Sequence, residues 1–321
     1  MIGETIAKNL IEKYNPKSVL FCPYKEEMWD SMKTIYDYFD EETNILVEVM
    51  PIAYYTLKGN KVNGLKIEFQ DLYRENFPMM LTWGESEAYG GSNKWDIIIF
   101  HYPYDNLNNV TRPMIYSSVL KEFCYNLVLV HYACRELLPT REDVSYAGVR
   151  NSDLVIFDNE EQANEANRLL KNQFAWRGEC VGWGSAKYDM IEQARIPTEW
   201  QQKAEGKRVV LLQSSIIPYL QNKNKLNQIE SIIKSYINNP KVCLIWRPHP
   251  LYRETIIAHQ RNELWKFTEL KDMVAKSPKD ILDTTPTPEK SLKFADEMIS
   301  DRSSLVTMWK TTGKKLTMLE E

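Results

Sequence analysis

Short apolar runs alternate with amphipathic helical stretches from Ser18 to Tyr188, and the alternation resumes from Val209 to Met318. This pattern constrains the fold more than any other feature of the chain. Parallel strands are buried on both faces and need a long crossover, so strand–helix alternation predicts parallel sheets covered by helices. In the first stretch the pattern predicts strands over 19–22, 45–52, 97–101, 127–131, 154–157 and 180–181, with helices over 27–39, 112–123 and 160–171. Ala163, Ala166 and Leu169 recur at helical spacing in the last of these, and Asp158 or Asn159 supplies its N-cap. In the second stretch it predicts strands over 209–212, 242–246, 281–282, 298–299 and 315–318, and helices over 222–237, within 254–275, and over 288–294 and 304–310. The segment 54–93 interrupts the first alternation with the turn signals Gly59-Asn60, Asn63-Gly64 and Gly90-Gly91, and reads as a hairpin plus an irregular insertion. A polar stretch over 197–207 separates the two alternations, giving expected domains 1–198 and 199–321.

At 321 residues there is length for two such domains, each with a core of its own. A formal net charge of −4 argues against a broad face for nucleic acid. The five cysteines are odd in number and lack C-x-x-C spacing, which suits a reducing cytoplasm. Met1 to Ile6 carries no basic region followed by an apolar run, so no signal peptide is expected, and no run reaches the ~18 to 20 apolar residues of a membrane span.

Two constellations at strand ends carry the chemistry. Trp246-Arg247-Pro248-His249-Pro250 follows one buried strand, and Ile299-Ser300-Asp301-Arg302-Ser303-Ser304 follows another and opens a helix. Ligands of open α/β sheets bind just past the carboxyl ends of strands. The prolines fix the backbone on both sides of His249, and Arg247 offers a fork of donors matched to phosphate oxygens. Asp301, Arg302, Ser303 and Ser304 bring hydroxyls, charge and helix-terminal amides, although Ser and Asp at such a position also serve simply as N-caps. Together these groups point to a nucleotide diphosphate. Gln213-Ser214-Ser215 and Gly182-Trp183-Gly184-Ser185 are further polar or glycine-bearing turns after strands, with Gly182 and Gly184 permitting close approach of backbone to a ligand. His101 and His131 close neighbouring strands of the first domain, where an imidazole serves either as a general base or as hydrogen-bonded scaffolding. No metal-ligand spacing, Walker loop or nucleophile elbow occurs.

The motifs Arg247-Pro248-His249-Pro250 and Ile299-Ser300-Asp301-Arg302-Ser303-Ser304, the Gly313-Lys314-Lys315 turn and the segment Val181 to Asp189 resemble the CDP-glycerol glycerophosphotransferases of teichoic acid and related cell-surface polymer synthesis. The likeness covers the second half best. In the first half, Phe21-Cys22-Pro23-Tyr24-Lys25 with Met28-Trp29-Asp30, and Pro103-Tyr104-Asp105-Asn106 with Val110-Thr111, resemble a divergent bacterial branch of the same superfamily. The resemblance implies an α/β, GT-B-like fold, with two Rossmann-type domains whose parallel sheets face a central cleft, the first on the acceptor side and the second binding nucleotide. It implies transfer of an alditol phosphate from a CDP-activated donor such as CDP-glycerol to a hydroxyl, with release of CMP and no cofactor. By the same resemblance His131 and His249 are catalytic, while Arg247, Asp301, Arg302, Ser303, Ser304, Ser214, Ser215, Gly182 and Gly184 bind nucleotide or phosphate. The expected acceptor is a lipid-linked or soluble polyol phosphate or glycan, at the inner face of the plasma membrane. Two departures stand out: Tyr132 follows His131 where the family has glycine, and Met308 stands where it has an acidic residue. A GT-B glycosyltransferase using a nucleotide sugar, and a non-catalytic binding module of the same fold, are the competing readings.

Overall fold

The computed structural model describes residues 1–58, 61–68, 94–107, 110–134, 136–222 and 224–319. The chain forms two compact units, Met1–Met190 and Ile191–Glu321. In the first unit the strands are β1 (Ser18–Cys22), β2 (Leu46–Val49), β3 (Tyr54–Lys58), β4 (Lys61–Lys66), β5 (Trp95–Phe100), β6 (Cys124–Val130), β7 (Leu154–Ile156) and β8 (Glu179–Val181). β3 and β4 pair as an antiparallel hairpin, and the other six make one parallel sheet in the order β2-β1-β5-β6-β7-β8. Because the chain leaves β1 toward one side and returns on the other, the topological switch point lies between β1 and β5.

Alternate residues of these strands feed opposite faces. Val19, Phe21, Ile97, Ile99, Val128 and Val130 pack with Ile6, Leu10, Ile35 and Phe39 of the helices Ile2–Tyr14 and Lys33–Glu42. Leu20, Cys22, Ile98, Phe100, Leu127 and Leu129 pack with Leu120, Ala163, Ala166 and Leu170 on the other side. The helix Ile2–Tyr14 was not foreseen from the sequence. Its amino end is held from far along the chain: the Asp189 carboxylate accepts the amides of Ile2 (2.8 Å) and Gly3 (2.7 Å) and the Thr34 hydroxyl (2.8 Å). A carboxylate there satisfies two of the helix's unpaired amides and meets the positive end of its dipole.

In the second unit, β9 (Arg208–Ser214), β10 (Val242–Pro248), β11 (Ile281–Leu282), β12 (Glu297–Ser300) and β13 (Lys315–Met318) form a parallel sheet in the order β11-β10-β9-β12-β13. Its switch point falls between β9 and β12. Val210, Leu212, Leu244 and Trp246 are buried against Leu226, Ile229, Ile233, Tyr252, Phe267 and Leu270 from the helices Lys225–Ile237, Tyr252–His259 and Leu264–Ala275.

The expected strands all form, but several helices differ. The helix expected over 27–39 is a 3-10 turn, Glu26–Ser31, followed by the helix Lys33–Glu42. The tighter winding accompanies two tertiary ties in that turn: Asp30 to Lys187 at 2.5 Å and Ser31 to the ring of His101 at 3.0 Å. The helix expected over 112–123 likewise divides into a 3-10 turn, Pro113–Ile115, and the helix Ser117–Glu122. There the buried Asp105 carboxylate takes the Ser117 amide at 3.0 Å and fixes the new start. The stretch 254–275 holds two helices. An unforeseen helix, Ile216–Gln221, precedes Lys225–Ile237. The polar stretch 197–207 contains the helix Thr198–Ala204, whose Trp200 lies 6.3 Å from the ring of Phe294. Asn159 caps the helix Glu160–Phe174 by accepting the Gln162 amide. The Asn63-Gly64 signal lies within β4, whereas most of the insertion, with Gly59-Asn60 and Gly90-Gly91, falls outside the described residues. Among the described residues no helix is long and apolar enough to cross a membrane.

Asp189→Ala should lower the stability of the chain by about 1–3 kcal/mol, since two helix-end amides and a buried hydroxyl lose one acceptor. Urea denaturation followed by circular dichroism measures it, and an unchanged midpoint would show that the cap contributes nothing.

Candidate functional site

Three adjacent strand ends of the second unit come together through side chains and backbone. Register pairs Gln213 of β9 with Arg247 of β10 on one side and with Ser300 of β12 on the other. The β10 corner is stitched to β9 by the His249 amide, which donates to the Ser214 carbonyl at 3.0 Å. Trp246 adds its indole N–H to the Ser214 hydroxyl at 3.3 Å. On the other side the Asp301 carboxylate accepts the Ser215 amide at 2.9 Å, and the Ser303 hydroxyl donates to Gln213 Oε1 at 3.3 Å. Ser214, Ser215, His249, Asp301 and Ser303 therefore share one edge of one sheet.

His249 is half-buried and sits in a turn closed by the Tyr252 amide on its carbonyl, 2.8 Å. Its Nδ1 accepts the Leu251 amide at 3.1 Å, which puts the proton of the neutral ring on Nε2. A pocket of about 250 Å³ opens here, lined by His249 with Arg253, Phe267, Lys271, Thr284 and Thr285, among others. Asp283 also lines it, with its charge matched by Arg247; the other lining cations are Lys271 and Arg253, the latter 3.4 Å from the Glu254 carboxylate.

Arg247 itself is buried. Its guanidinium donates to Asp283 Oδ2 at 2.7 Å, to the Thr285 hydroxyl at 3.1 Å and to the Thr285 carbonyl at 3.0 Å. Asp283 is further bound by the Ser291 hydroxyl and by the Thr285 amide at 2.8 Å. Arg247 thus fixes the loop after β11 beside the pocket. Asp301 is held in a comparable way: Lys225 Nζ lies 2.5 Å from its Oδ1, and both side chains are 1% exposed. The carboxylate orients the Ser215 amide and carries its own counter-charge. Ser303 is the N-cap residue of the helix Ser304–Lys310, while Arg302 and Ser304 are exposed beside it. Met308 is buried in that helix, facing the core.

In the first unit the glycines have structural duties. A Cβ on Gly182 would lie 2.1 Å from the Glu160 amide nitrogen, so β8 can pass the start of the helix Glu160–Phe174 only without a side chain. Gly184 has φ +97°, and a Cβ there would meet Ile2 at 2.9 Å. His131 is half-buried at the end of β6, its ring 4.8 Å from that of Phe157. Tyr132 shares a hydroxyl contact of 3.1 Å with Tyr104. His101, fully buried at the end of β5, accepts the Tyr24 amide on Nε2 at 2.8 Å and contacts the Ser31 hydroxyl through Nδ1 at 3.0 Å. Burial, aided by the positive charge of Lys187, pushes its pKa down to about 3. It is a neutral tie between strand ends across the switch point. Among the described residues no group of three or more His, Cys, Asp or Glu side chains could hold a metal ion.

The sequence reading passed over three groups: Gln213, Asp283 and Lys225. Gln213 reads only as part of a polar loop, Asp283 follows a two-residue strand, and Lys225 ends the polar run Gln221 to Lys225, where a solvated side chain is the ordinary expectation.

No protein-family model matches the chain, and no curated protein matches it. Solved structures do. A UDP-N-acetylglucosamine 2-epimerase matches with a TM-score of 0.58 at 12% identity, covering 95% of this chain and 79% of that one. The Methanocaldococcus jannaschii UDP-GlcNAc 2-epimerase, in complex with UDP-GlcNAc and UDP, matches with a TM-score of 0.55 at 12% identity, covering 95% and 84%. The wall teichoic acid polymerase TagF matches with a TM-score of 0.43 at 9% identity, covering 98% of this chain and 73% of that one. The fold is therefore GT-B-like, with two Rossmann-type units.

Lys225→Met should cost about 3–5 kcal/mol by leaving the Asp301 carboxylate buried without its counter-charge, and Lys225→Met with Asp301→Asn should recover part of that loss. Chemical denaturation of the two variants gives the comparison; equal losses would mean the pair is not coupled. For His101, the unfolded chain binds a proton below its ordinary value of 6.5 while the folded chain does not until about 3. Its contribution is present above pH 6.5 and is lost as pH falls, by about 1.4 kcal/mol per unit. His101→Gln should flatten the fall in stability between pH 6.5 and 5, and an unchanged slope would contradict this.

Proposed function

We propose that the chain is a transferase acting on a nucleotide-activated donor, whose diphosphate is held at the carboxyl edge of the second sheet. The observation that carries this reading is the gathering of His249, Ser214, Ser215 and Ser303 on the adjoining ends of β10, β9 and β12, at the switch point of that sheet. Its chemistry suits an anion: hydroxyls, a ring N–H on Nε2, and Arg253 and Lys271 in the adjoining pocket. In this reading the donor is a CDP-alditol, CDP-glycerol being the example set by the motif resemblance. The acceptor, a polyol phosphate or glycan that is lipid-linked or soluble, attacks the alditol-bearing phosphorus. A new P–O bond forms to the acceptor oxygen as the P–O bond to CMP breaks, and the acceptor's proton passes to a general base, the role the motif resemblance gives to His131. His249, Ser303 and Ser304 neutralise charge developing on the phosphoryl oxygens. Asp301 and Arg247 act behind them, holding the Ser215 amide and the loop after β11.

A second reading, a UDP-sugar enzyme, is favoured by the ligands named for the M. jannaschii neighbour. The two divide on the nucleotide. Thermal shift with CDP and UDP tests them, since a ligand at 100 times its Kd raises stability by about 2.7 kcal/mol. We expect CDP to stabilise the chain more than UDP; the reverse order selects the sugar enzyme. His249→Ala should lower CMP release from a CDP-alditol by ~10²- to 10³-fold with the melting temperature kept. Undiminished turnover would remove His249 from the mechanism, and nucleotide binding without any turnover in the native chain would mark a binding module.

A further inference from the structure

Gln213 is the last-but-one residue of β9, lies 3% exposed, and its side-chain amide contacts the hydroxyls of Ser215, Ser300 and Ser303. The fully buried Ser300 hydroxyl lies 2.6 Å from its Oε1 and 2.7 Å from the Asp301 carbonyl, and shares its one proton between them; 2.6 Å suits an O–H donor and is short for an amide N–H, which turns the carbonyl side of the amide toward β12. The other side, Nε2, then donates to the Ser215 hydroxyl at 3.0 Å; the alternative contact, from that hydroxyl to Oε1, is longer at 3.5 Å. The Ser303 hydroxyl, beyond the end of β12, reaches the same Oε1 at 3.3 Å, longer than the Ser300 bond and easier for an anionic oxygen to replace.

We propose that Gln213 is a positioning residue that sorts the hydrogen-bond polarity of this edge, receiving from Ser300 and giving to Ser215, so that the Ser215 and Ser303 hydroxyls present their protons to a nucleotide diphosphate. A hydroxyl that already accepts a bond from an amide N–H directs its own proton elsewhere. The inference rests on the reading that this edge binds a nucleotide diphosphate. It assigns the amide no contact with the ligand, and it makes the amide's neutrality essential. A carboxylate of the same shape would still accept from Ser300, yet it would draw the Ser215 proton to itself and set a negative charge beneath the phosphates.

Gln213→Glu is therefore the informative change, and the readout is the Kd of CDP and of UDP by calorimetry at pH 7.5 and at pH 5.5, as the ratio of variant to native chain. We expect the ratio for the better-bound nucleotide to be at least about tenfold at pH 7.5 and to fall toward one at pH 5.5, as the buried carboxyl, its pKa raised by desolvation, regains a proton. A role confined to packing would give no such recovery on acidification. A ratio near one at both values, or a raised ratio independent of pH, overturns the proposal while leaving the nucleotide site in place. A native chain that binds neither nucleotide at either pH overturns both the proposal and the reading beneath it. Should Gln213→Glu fail to fold, Gln213→Met added to Ser215→Ala with Ser303→Ala decides the matter: if Gln213 acts through those two hydroxyls, the triple variant binds no more weakly than the Ser215→Ala, Ser303→Ala pair, and full additivity overturns the proposal.

Discussion

A buried ion pair underlies the arrangement of the second unit. Removing a lysine and an aspartate from water is expensive, and mutual attraction repays the cost only where geometry is close and the remaining lone pairs find donors. Lys225 and Asp301 approach to 2.5 Å, with the Ser215 amide on the second carboxylate oxygen. The pair fixes where the chain turns after β12 and where it turns after β9. Arg247 and Asp283 repeat the device one layer over, tying the end of β10 to the loop after β11. Between them the edge becomes a rigid frame in which Ser214 and Ser215 are buried while His249, Ser303 and Ser304 keep part of their surface exposed.

The two units apply the same topology to different chemistry. In the first, the switch point between β1 and β5 is closed by a neutral histidine and by tyrosine rings, with Tyr24 and Tyr102 stacked at 4.1 Å. Desolvation keeps that imidazole uncharged, and its two nitrogens are engaged by Tyr24 and Ser31. In the second, the switch point lies between β9 and β12 and carries small polar side chains. A histidine at a strand end is thus scaffolding in one case and a candidate for chemistry in the other, and the burial of the ring, complete for His101 and partial for His249, separates the two.

Much of this was legible from residues in order. Alternation gave the parallel strands because burial on both faces leaves an unbroken apolar signature, as in Ile97 to Phe100 or Val242 to Trp246. The ends of those strands were marked by abrupt changes of polarity, so the positions of His249 and Ser303 could be read directly. What escaped was whatever depends on a distant partner. Nothing near Lys225 announces that it will be buried, since its counter-charge lies at Asp301. Arg247 reads as a phosphate fork because its neighbours in sequence are a proline and a tryptophan; Asp283, which pairs with it, comes from the loop after β11. The glycines of Gly182-Trp183-Gly184 signalled close approach correctly in kind, but the approaching groups are the start of the helix Glu160–Phe174 and the side chain of Ile2.

The cap on the helix Ile2–Tyr14 has a consequence for the order in which the first unit matures during synthesis. That helix is translated ahead of the rest of its unit and can lie early against Lys33–Glu42. Its acceptor at Asp189, however, emerges only when nearly all of the unit has been translated. Until then its amino-terminal amides face water and the end of the helix frays. The nascent unit therefore stays unlatched through most of its own translation, and closes once, from its two extremities, when the final turn arrives.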